Sequence, residues 1–192
     1  MMLNAANTTP LRMSPPSPRM TQANPSRTQA QVLIRYTQQA TPLGDVFFAC
    51  TEQGLVGCWF HDQAHLPLMQ GWQRDDAHAL LTSAHQQWLR YFSGQLKAFD
   101  LPLHFLWGTA FQQSVWHALQ RIPHGRTTTY AELAGSLHRP NASRAVGAAV
   151  GRNPLSVVVP CHRVLGAKGA LTGYAGGLER KQALLQLEQQ HA

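Results

Sequence analysis

The sequence predicts an α+β protein in which a small antiparallel sheet with one helix precedes a mainly helical part. Three observations support this class. Runs rich in β-branched and aromatic residues alternate with Pro and Gly turns over residues 32–62. Apolar residues then recur at helical spacing over residues 76–92 and again in much of residues 108–192. The chain has 192 residues, of which 44% are hydrophobic, so it can bury a sizeable core.

Residues 1–30 differ from the rest of the chain in composition. They contain five prolines, many Ser, Thr, Asn and Gln residues, and no apolar periodicity. Such a segment cannot bury enough apolar surface to offset its chain entropy, so we predict a disordered leader. Its three arginines could contact a polyanion, but a solvated tail is the simpler interpretation.

Residues 31–107 are predicted to form the first folded domain. Its expected elements are three strands, a helix and a short extended run, over residues 32–38, 45–51, 55–61, 76–92 and 99–105. The first two strands can pair as a hairpin, because Pro42 and Gly44 stand where a tight turn needs them. A second turn at Gly54 leads to the third strand.

Residues 108–192 are predicted to form a second, mainly helical domain. Its expected helices cover residues 111–119, 130–137, 141–151 and 178–190. Thr128 or Thr129 can cap the second helix. The second and third helices are joined by a tight turn, which is typical of a helix-turn-helix. That pattern alone is a weak signal, because many helical hairpins bind nothing.

The third of these helices has an unusual composition. It is built almost wholly of small residues, and Arg144 is its one long side chain. Small side chains let a helix backbone approach another surface closely, either the protein core or a nucleic-acid groove. Further on, residues 165–177 contain five glycines, which is typical of a loop that turns sharply or packs against a ligand.

The segment 157–165 is the best candidate for the centre of the chemistry. Its three consecutive valines predict a buried strand that Pro160 ends. Cys161 follows at once, and then His162 and Arg163. A free thiol has a pKa of about 8.5, and cationic or basic neighbours favour the reactive thiolate. The alternative is that Cys161 is only a small buried hydrophobic residue.

The charge of the chain is unevenly distributed. Residues 31–107 carry four basic and six acidic residues, whereas residues 108–192 carry nine basic and three acidic residues. A basic second part predicts that a polyanion contacts that part alone. A merely soluble surface would also fit these charges.

The cysteines and the hydropathy suggest where the protein works. Cys50, Cys58 and Cys161 form no C-x-x-C pair, which argues against a disulfide framework and against a cysteine-based zinc site. No apolar run approaches the roughly 20 residues that a membrane span needs, and no secretory signal is visible. We therefore expect a cytoplasmic protein, associated with the nucleoid if the source is prokaryotic.

Several segments together resemble a known family. They are Arg144-Ala145-Val146-Gly147, Asn153-Pro154, Val159-Pro160-Cys161-His162-Arg163-Val164, Gly173-Tyr174-Ala175-Gly176-Gly177-Leu178 and Lys181. With the helix-turn-helix before and the glycine loop after, they resemble the O6-alkylguanine-DNA alkyltransferases, or methylated-DNA–protein-cysteine methyltransferases. The resemblance is strong over residues 108–188, looser from residue 32, and absent over residues 1–30. It implies a ribonuclease-H-like type for the N-terminal sheet domain.

The resemblance implies direct-reversal DNA repair in a single turnover. An alkyl group passes from guanine O6 in double-stranded DNA to Cys161, which is not regenerated. His162 is implied as the base, acting through a water, and Glu188 orients its imidazole. No cofactor and no obligatory protein partner are implied, and we expect a monomer because one chain supplies the whole site.

The family also implies a set of substrate-binding residues: Tyr130, Arg144, Asn153, Arg163, Val164, Tyr174, Ala175 and Gly176. In the family the helix-turn-helix enters the minor groove, the target base is flipped out, and the residue at the position of Arg144 fills the gap. Tyr130 matches a tyrosine that turns the target phosphate, and Asn153 matches a brace between the helix-turn-helix and the active-site turn. Tyr174 matches a tyrosine that hydrogen-bonds the guanine.

Two departures from the family pattern stand out. Many relatives have serine at the position of Ala175, so a side-chain donor to O6 is missing here, although the backbone N–H remains. Some relatives carry zinc in the N-terminal domain, but Cys50 and Cys58 fall in predicted strands, so we expect no metal.

Three other functions compete with alkyl transfer. A non-catalytic sensor of alkyl lesions would lack the active cysteine, yet Cys161 is present. A Cys-His-Glu hydrolase of small molecules would explain the three polar residues but not the helix-turn-helix or the basic second part. A structural DNA-binding protein would leave the sequence around Cys161 unexplained.

Overall fold

The computed structural model describes residues 32–192. The predicted leader, residues 1–30, lies outside the described residues. The described chain combines a four-stranded sheet and a two-stranded sheet with several helices, so the predicted α+β class is confirmed. None of the helices in residues 32–192 has the length and apolar character needed to cross a membrane.

The main sheet has four strands in the order β3-β2-β1-β4. They are β1 (Arg35–Gln39), β2 (Val46–Thr51), β3 (Gly54–Phe60) and β4 (Gln73–Arg74). The first three are antiparallel, with Arg35 opposite Cys50 and Val46 opposite Phe60, as the turn residues predict. The sheet is not purely antiparallel, because the short β4 runs parallel to β1. Two exposed polar residues carry no strand signal, which explains why the sequence does not predict β4.

One face of the sheet packs on helix α1 (Ala79–Phe92). Trp88 of this helix lies edge-on to Phe48 and Phe60, with ring centroids 5.2 and 5.7 Å apart. The predicted extended run over residues 99–105 is wrong as a strand. It makes one isolated bridge, between Leu103 and Leu55, in which the Leu55 N–H donates to the Pro102 carbonyl and the His104 N–H donates to the Leu55 carbonyl.

The helix-turn-helix is formed by α3 (Tyr130–Ser136) and α4 (Ser143–Gly151), which pack on α2 (Ala110–Leu119). A two-residue strand, β5 (Thr128–Thr129), precedes α3. Thr129 caps α3 by accepting a hydrogen bond from the Glu132 N–H, so the predicted cap is confirmed. Trp116 of α2 donates from its indole nitrogen to the Ala149 carbonyl at 2.8 Å and so fixes α4.

The three valines at 157–159 are mostly buried, but they do not form the predicted strand. Val157 has a φ of +67°, a left-handed conformation that breaks an extended run and is unusual for a β-branched residue. The chain instead turns sharply there. Strand β6 (Val164–Leu165) then pairs with β5, and α5 (Leu178–Gln190) closes the fold.

Candidate active site

Cys161 begins a 3-10 turn, Cys161–Arg163, directly after Pro160, and only 4% of the residue is exposed. The side-chain amide of Asn153 holds this turn in place. It donates hydrogen bonds to the Val159 carbonyl at 2.8 Å and to the Cys161 sulfur at 3.1 Å. Asn153 follows α4 by two residues, so a single side chain ties the helix-turn-helix to the thiol.

Burial raises the pKa of the Cys161 thiol above its usual value. The hydrogen bond from Asn153 and the charge of Lys181 oppose this rise without reversing it. The side chains of His162 and Arg163 contact Glu188, so the part of the expectation that the structure supports is a hydrogen bond from the His162 backbone N–H, which favours the thiolate. The thiol of the free protein is therefore protonated at neutral pH, and its proton must leave before or during any reaction.

Glu188, on α5, is a buried carboxylate surrounded by donors. Its Oε1 accepts hydrogen bonds from the Tyr91 hydroxyl at 2.6 Å, from Arg163 Nη2 at 2.7 Å and from His162 Nε2 at 2.9 Å. Its Oε2 accepts from the Gly125 N–H and from Arg163 Nε, both at 3.0 Å. The charge of the carboxylate is thus balanced by the guanidinium and shared among several N–H and O–H groups.

These contacts define the protonation states of the pair. Burial alone raises the pKa of Glu188, but the hydrogen bonds from His162 and Arg163 outweigh it and hold that pKa well below its usual range. Burial lowers the pKa of His162, more than the carboxylate raises it. A carboxylate can only accept hydrogen bonds, so Nε2 of the neutral imidazole carries the proton. Its Nδ1, which is buried without a partner among the described residues, keeps a free lone pair.

Lys181 is a buried charged residue to which the sequence assigns no role. Its ammonium is buried and donates to the carbonyls of Val164 and Thr172, both at 2.6 Å, and of Gly173 at 3.3 Å. It therefore joins β6 to the glycine loop. Burial lowers the pKa of Lys181 to about 8, although the nearby Cys161 opposes that shift.

The buried face of α5 consists of Lys181, Leu184 and Glu188. The spacing of three and then four residues could have identified this face, because it places the two charged residues on the same side of the helix as the buried leucine. Lys181 belongs to the segments that carry the family resemblance, but the sequence does not indicate that its side chain is buried. A residue from the N-terminal part, Tyr91, was also missed, since nothing in an amphipathic helix distinguishes one tyrosine from another.

A cleft of about 230 Å³ opens at the glycine loop, and Cys161, His162 and Glu188 are not among the residues that line it. Its walls include Tyr130, Tyr174, Ala175 and Gly147. The Tyr130 hydroxyl donates weakly to the carbonyls of the glycine loop at 3.4 Å. The Tyr174 hydroxyl is buried without a partner among the described residues, and burial raises its pKa, so it remains a donor available to a bound molecule.

The remaining predicted site residues lie in different surroundings. Arg144 is exposed on α4, on the same outer face as Ala145 and Ala148. Arg163 donates to Glu188 and to the Ile122 carbonyl and does not line the cleft. Val164 is fully buried and offers only its carbonyl, to Lys181.

Gly176 and Ala175 are anchored through their carbonyls. The Gly176 carbonyl accepts from Arg180, and the Ala175 carbonyl accepts from the Ala64 N–H at 2.9 Å. A Cβ on Gly176 would lie 2.8 Å from the Tyr174 ring, so the loop requires a glycine there. The structure thus forms two hydrogen-bonded pairs on one turn, Asn153 with Cys161 and His162 with Glu188. It gathers Tyr130, Tyr174 and Ala175 at the cleft and leaves Arg144 on the outside.

Within residues 32–192, no group of three or more His, Cys, Asp and Glu side chains is placed to hold a metal ion. Cys50 and Cys58 are buried free cysteines. That the protein needs no metal stays a prediction from the chemistry.

Comparisons with known proteins agree on one family. The family model described as 6-O-methylguanine DNA methyltransferase, ribonuclease-like domain, matches residues 34–105. The model described as 6-O-methylguanine DNA methyltransferase, DNA binding domain, matches residues 110–190. Together the two models cover most of the chain.

Individual relatives resemble nearly the whole described chain. The methylated-DNA–protein-cysteine methyltransferase of Mycolicibacterium paratuberculosis is 44% identical over 160 residues, which are 83% of this chain and 95% of the relative. The enzyme of the same description from Methanosarcina acetivorans is 45% identical over 149 residues, 77% of this chain and 94% of the relative. The crystal structure of Mycobacterium tuberculosis OGT in complex with DNA is 42% identical, with a TM-score of 0.77, and the match covers 82% of this chain and 94% of that one.

The substitution Glu188→Gln tests the electrostatics of the network. Because the folded-state pKa of Glu188 is depressed, its ionisation contributes stability that is present above its ordinary pKa of 4.5 and is lost as the pH falls further. We expect the variant to be less stable than the wild type by about 3 kcal/mol at pH 7.5, because Arg163 loses its partner. The difference in the free energy of unfolding between the variant and the wild type should become smaller as the pH falls from 4.5 to 3, as urea unfolding would measure.

The control is Glu179→Gln, an exposed glutamate of the same helix. It should remain within about 0.5 kcal/mol of the wild type at every pH. A difference between Glu188→Gln and wild type that is the same at pH 7.5 and pH 3 would contradict the assigned ionisation.

Proposed function

The chain belongs to the 6-O-methylguanine DNA methyltransferase family, and from that membership we infer how its residues carry out direct-reversal DNA repair. It is a methylated-DNA–protein-cysteine methyltransferase whose partner is DNA carrying alkylated guanine. The observation that carries the residue assignment is the connected set Asn153–Cys161 and His162–Glu188 at the end of the helix-turn-helix.

We propose Cys161 as the acceptor of the alkyl group. Its sulfur forms a bond to the alkyl carbon while the bond from that carbon to guanine O6 breaks, and the electron pair of the broken bond remains with the guanine. The thiol proton passes to His162 Nδ1, by way of a bridging water as the family resemblance implies. The resulting imidazolium is stabilised by Glu188, which already holds the opposite edge of the ring at 2.9 Å. No cofactor takes part in this balance.

The second proposed element is the pocket that orients the base. The unpartnered Tyr174 hydroxyl can donate a hydrogen bond to guanine and so assist its departure. The Ala175 side chain offers no donor to O6, so we assign that contact to backbone N–H groups of Ala175 or Gly176. Asn153 positions the thiol, and the Tyr130 hydroxyl, at the cleft mouth, meets the target phosphate.

Arg163 and Val164 are reassigned from substrate binding to support of the site. The guanidinium of Arg163 fixes Glu188, and the carbonyl of Val164 fixes Lys181. Both roles require burial, and both residues are buried.

The helix-turn-helix is proposed to enter the minor groove. The outer face of α4 combines Arg144 with small residues, which suits a narrow groove. It offers few side chains that could read base edges, so we expect weak sequence preference. Flipping the target base costs a few kcal/mol, roughly, and Arg144 filling the vacated space recovers part of that cost.

The organisation of the protein follows from these roles. We propose that residues 31–107 and 108–192 act as two domains of a monomer, with DNA bound by the second, basic one. A cytoplasmic or nucleoid location suits an enzyme of DNA. The second candidate is a non-catalytic lesion sensor. It is disfavoured because Cys161 is present and its sulfur accepts a hydrogen bond from Asn153.

The stoichiometry of transfer tests the assignment of Cys161. After incubation with duplex DNA containing O6-methylguanine, the intact mass should rise by one methyl group per chain, and the modified peptide should contain Cys161. Cys161→Ser should gain nothing, while Cys58→Ser, which removes another buried thiol, should still gain the methyl group. Lesion binding without any mass gain in the wild type would favour the sensor instead.

The role of Arg144 predicts a difference between duplex and single-stranded substrates. Only the duplex requires base flipping, so Arg144→Ala should slow methyl transfer from duplex DNA by about tenfold or more. On a single-stranded oligonucleotide the loss should stay within about twofold, as single-turnover kinetics would measure. The charge-matched control is Arg90→Ala, an exposed arginine of α1. Equal losses on both substrates would indicate a phosphate contact only.

A further inference from the structure

Tyr91 is a residue of the N-terminal part that reaches the Cys-His-Glu network. It lies on α1, and only 1% of it is exposed. Its hydroxyl donates to Glu188 Oε1 at 2.6 Å and lies 3.4 Å from His162 Nε2. The Tyr91 hydroxyl therefore contacts both Glu188 and His162, although it comes from a distant segment of the chain.

The Tyr91 ring is fixed by aromatic packing. Its centroid lies 5.4 Å from that of Phe99, 5.6 Å from that of Phe92 and 6.0 Å from that of His124. Such pairs add stability beyond the buried area and leave the ring little freedom. Burial raises the pKa of Tyr91 far above neutrality, so the hydroxyl remains a donor under all working conditions.

The carboxylate oxygen that Tyr91 contacts is the one that orients His162. Oε1 accepts from both Tyr91 and His162, whereas Oε2 accepts from the Gly125 N–H. His162 must direct Nε2–H at Oε1 if Nδ1 is to remain free to accept the thiol proton. The location of Oε1 thus determines the orientation of the imidazole ring.

We propose that Tyr91 is a positioning residue for methyl transfer, which holds Glu188 Oε1 where His162 can donate to it and so makes the base depend on α1. This inference rests on the proposed function of Cys161 and His162. It assigns the N-terminal domain a part in the chemistry, although that domain carries neither the thiol nor the helix-turn-helix.

The charges around the pair determine what removing the hydroxyl would do. Arg163, His124 and Lys181 face the pair together with Tyr91. Tyr91→Phe withdraws one donor from Glu188 and leaves these groups in place. The negative charge of Glu188 is then stabilised by one hydrogen bond fewer, so the carboxylate attracts a proton on His162 more strongly and favours the protonated imidazole. A protonated imidazole cannot accept the thiol proton, so transfer should fail at a higher pH than in the wild type.

The experiment is the rate of methyl transfer from O6-methylguanine duplex DNA between pH 5 and pH 9, measured by intact mass in single turnover. In Tyr91→Phe the acidic limb should move upward by about one pH unit, so that the rate loss approaches about tenfold at the acidic end of the range and disappears toward pH 9. Tyr36→Phe, at a ring of the outer aromatic cluster with Phe47 and Trp72, should leave the profile unchanged.

A second variant separates positioning from packing. Phe99→Leu loosens the ring against Tyr91 but keeps the hydroxyl, so it should lower thermal stability without moving the acidic limb. A Tyr91→Phe profile that is lowered equally at every pH, or that coincides with the wild type, would overturn the proposal. Failure of the wild type itself to take up a methyl group in the same assay would instead refute the proposed function.

Discussion

The buried carboxylate of Glu188 is the interaction on which the rest of the site depends. Moving an ion from water into a protein interior costs several kcal/mol, roughly, unless partners surround it. Here the partners come from separate segments: Tyr91 from α1, the Gly125 N–H from the loop after α2, and His162 and Arg163 from the active-site turn. The need to satisfy one charge therefore brings α1, the loop after α2, the active-site turn and α5 together.

Burial affects the thiol differently from the carboxylate, because the thiol has few hydrogen-bond donors and stays neutral. Cys161 is neutral and buried, and its one side-chain donor is the amide of Asn153. A protonated thiol resists unwanted oxidation and alkylation, because the thiolate is the reactive form. In the proposed mechanism the protein thus keeps the nucleophile, Cys161, protonated until its proton passes to a neutral base, His162. Because each molecule of the protein reacts only once, it is more important that the thiol reacts only with bound substrate than that the thiol of the free protein is highly reactive.

Much of this could be predicted from the sequence, and the failures have physical causes. Periodicity and caps predicted the hairpins, α1, the helix-turn-helix and α5, because each is specified by local residues. The prediction of a strand at 157–159 is wrong, although these residues have high strand propensity. Hydrogen bonds from Asn153 to the Val159 carbonyl and between Cys58 and the residues just before Val157 hold the chain in a turn. The raised thiol pKa and the contact of Tyr91 also escaped prediction, because burial and long-range contacts are properties of the fold.

The state of His162 is the most direct test of the account. Nitrogen-15 NMR of the imidazole in the free protein at pH 7 reports which ring nitrogens carry protons. We expect a neutral ring with the proton on Nε2, facing Glu188, and a bare Nδ1 facing the active-site turn. A ring protonated on both nitrogens, or a neutral ring with its proton on Nδ1, would contradict the account, because neither form could accept the proton of Cys161 at Nδ1.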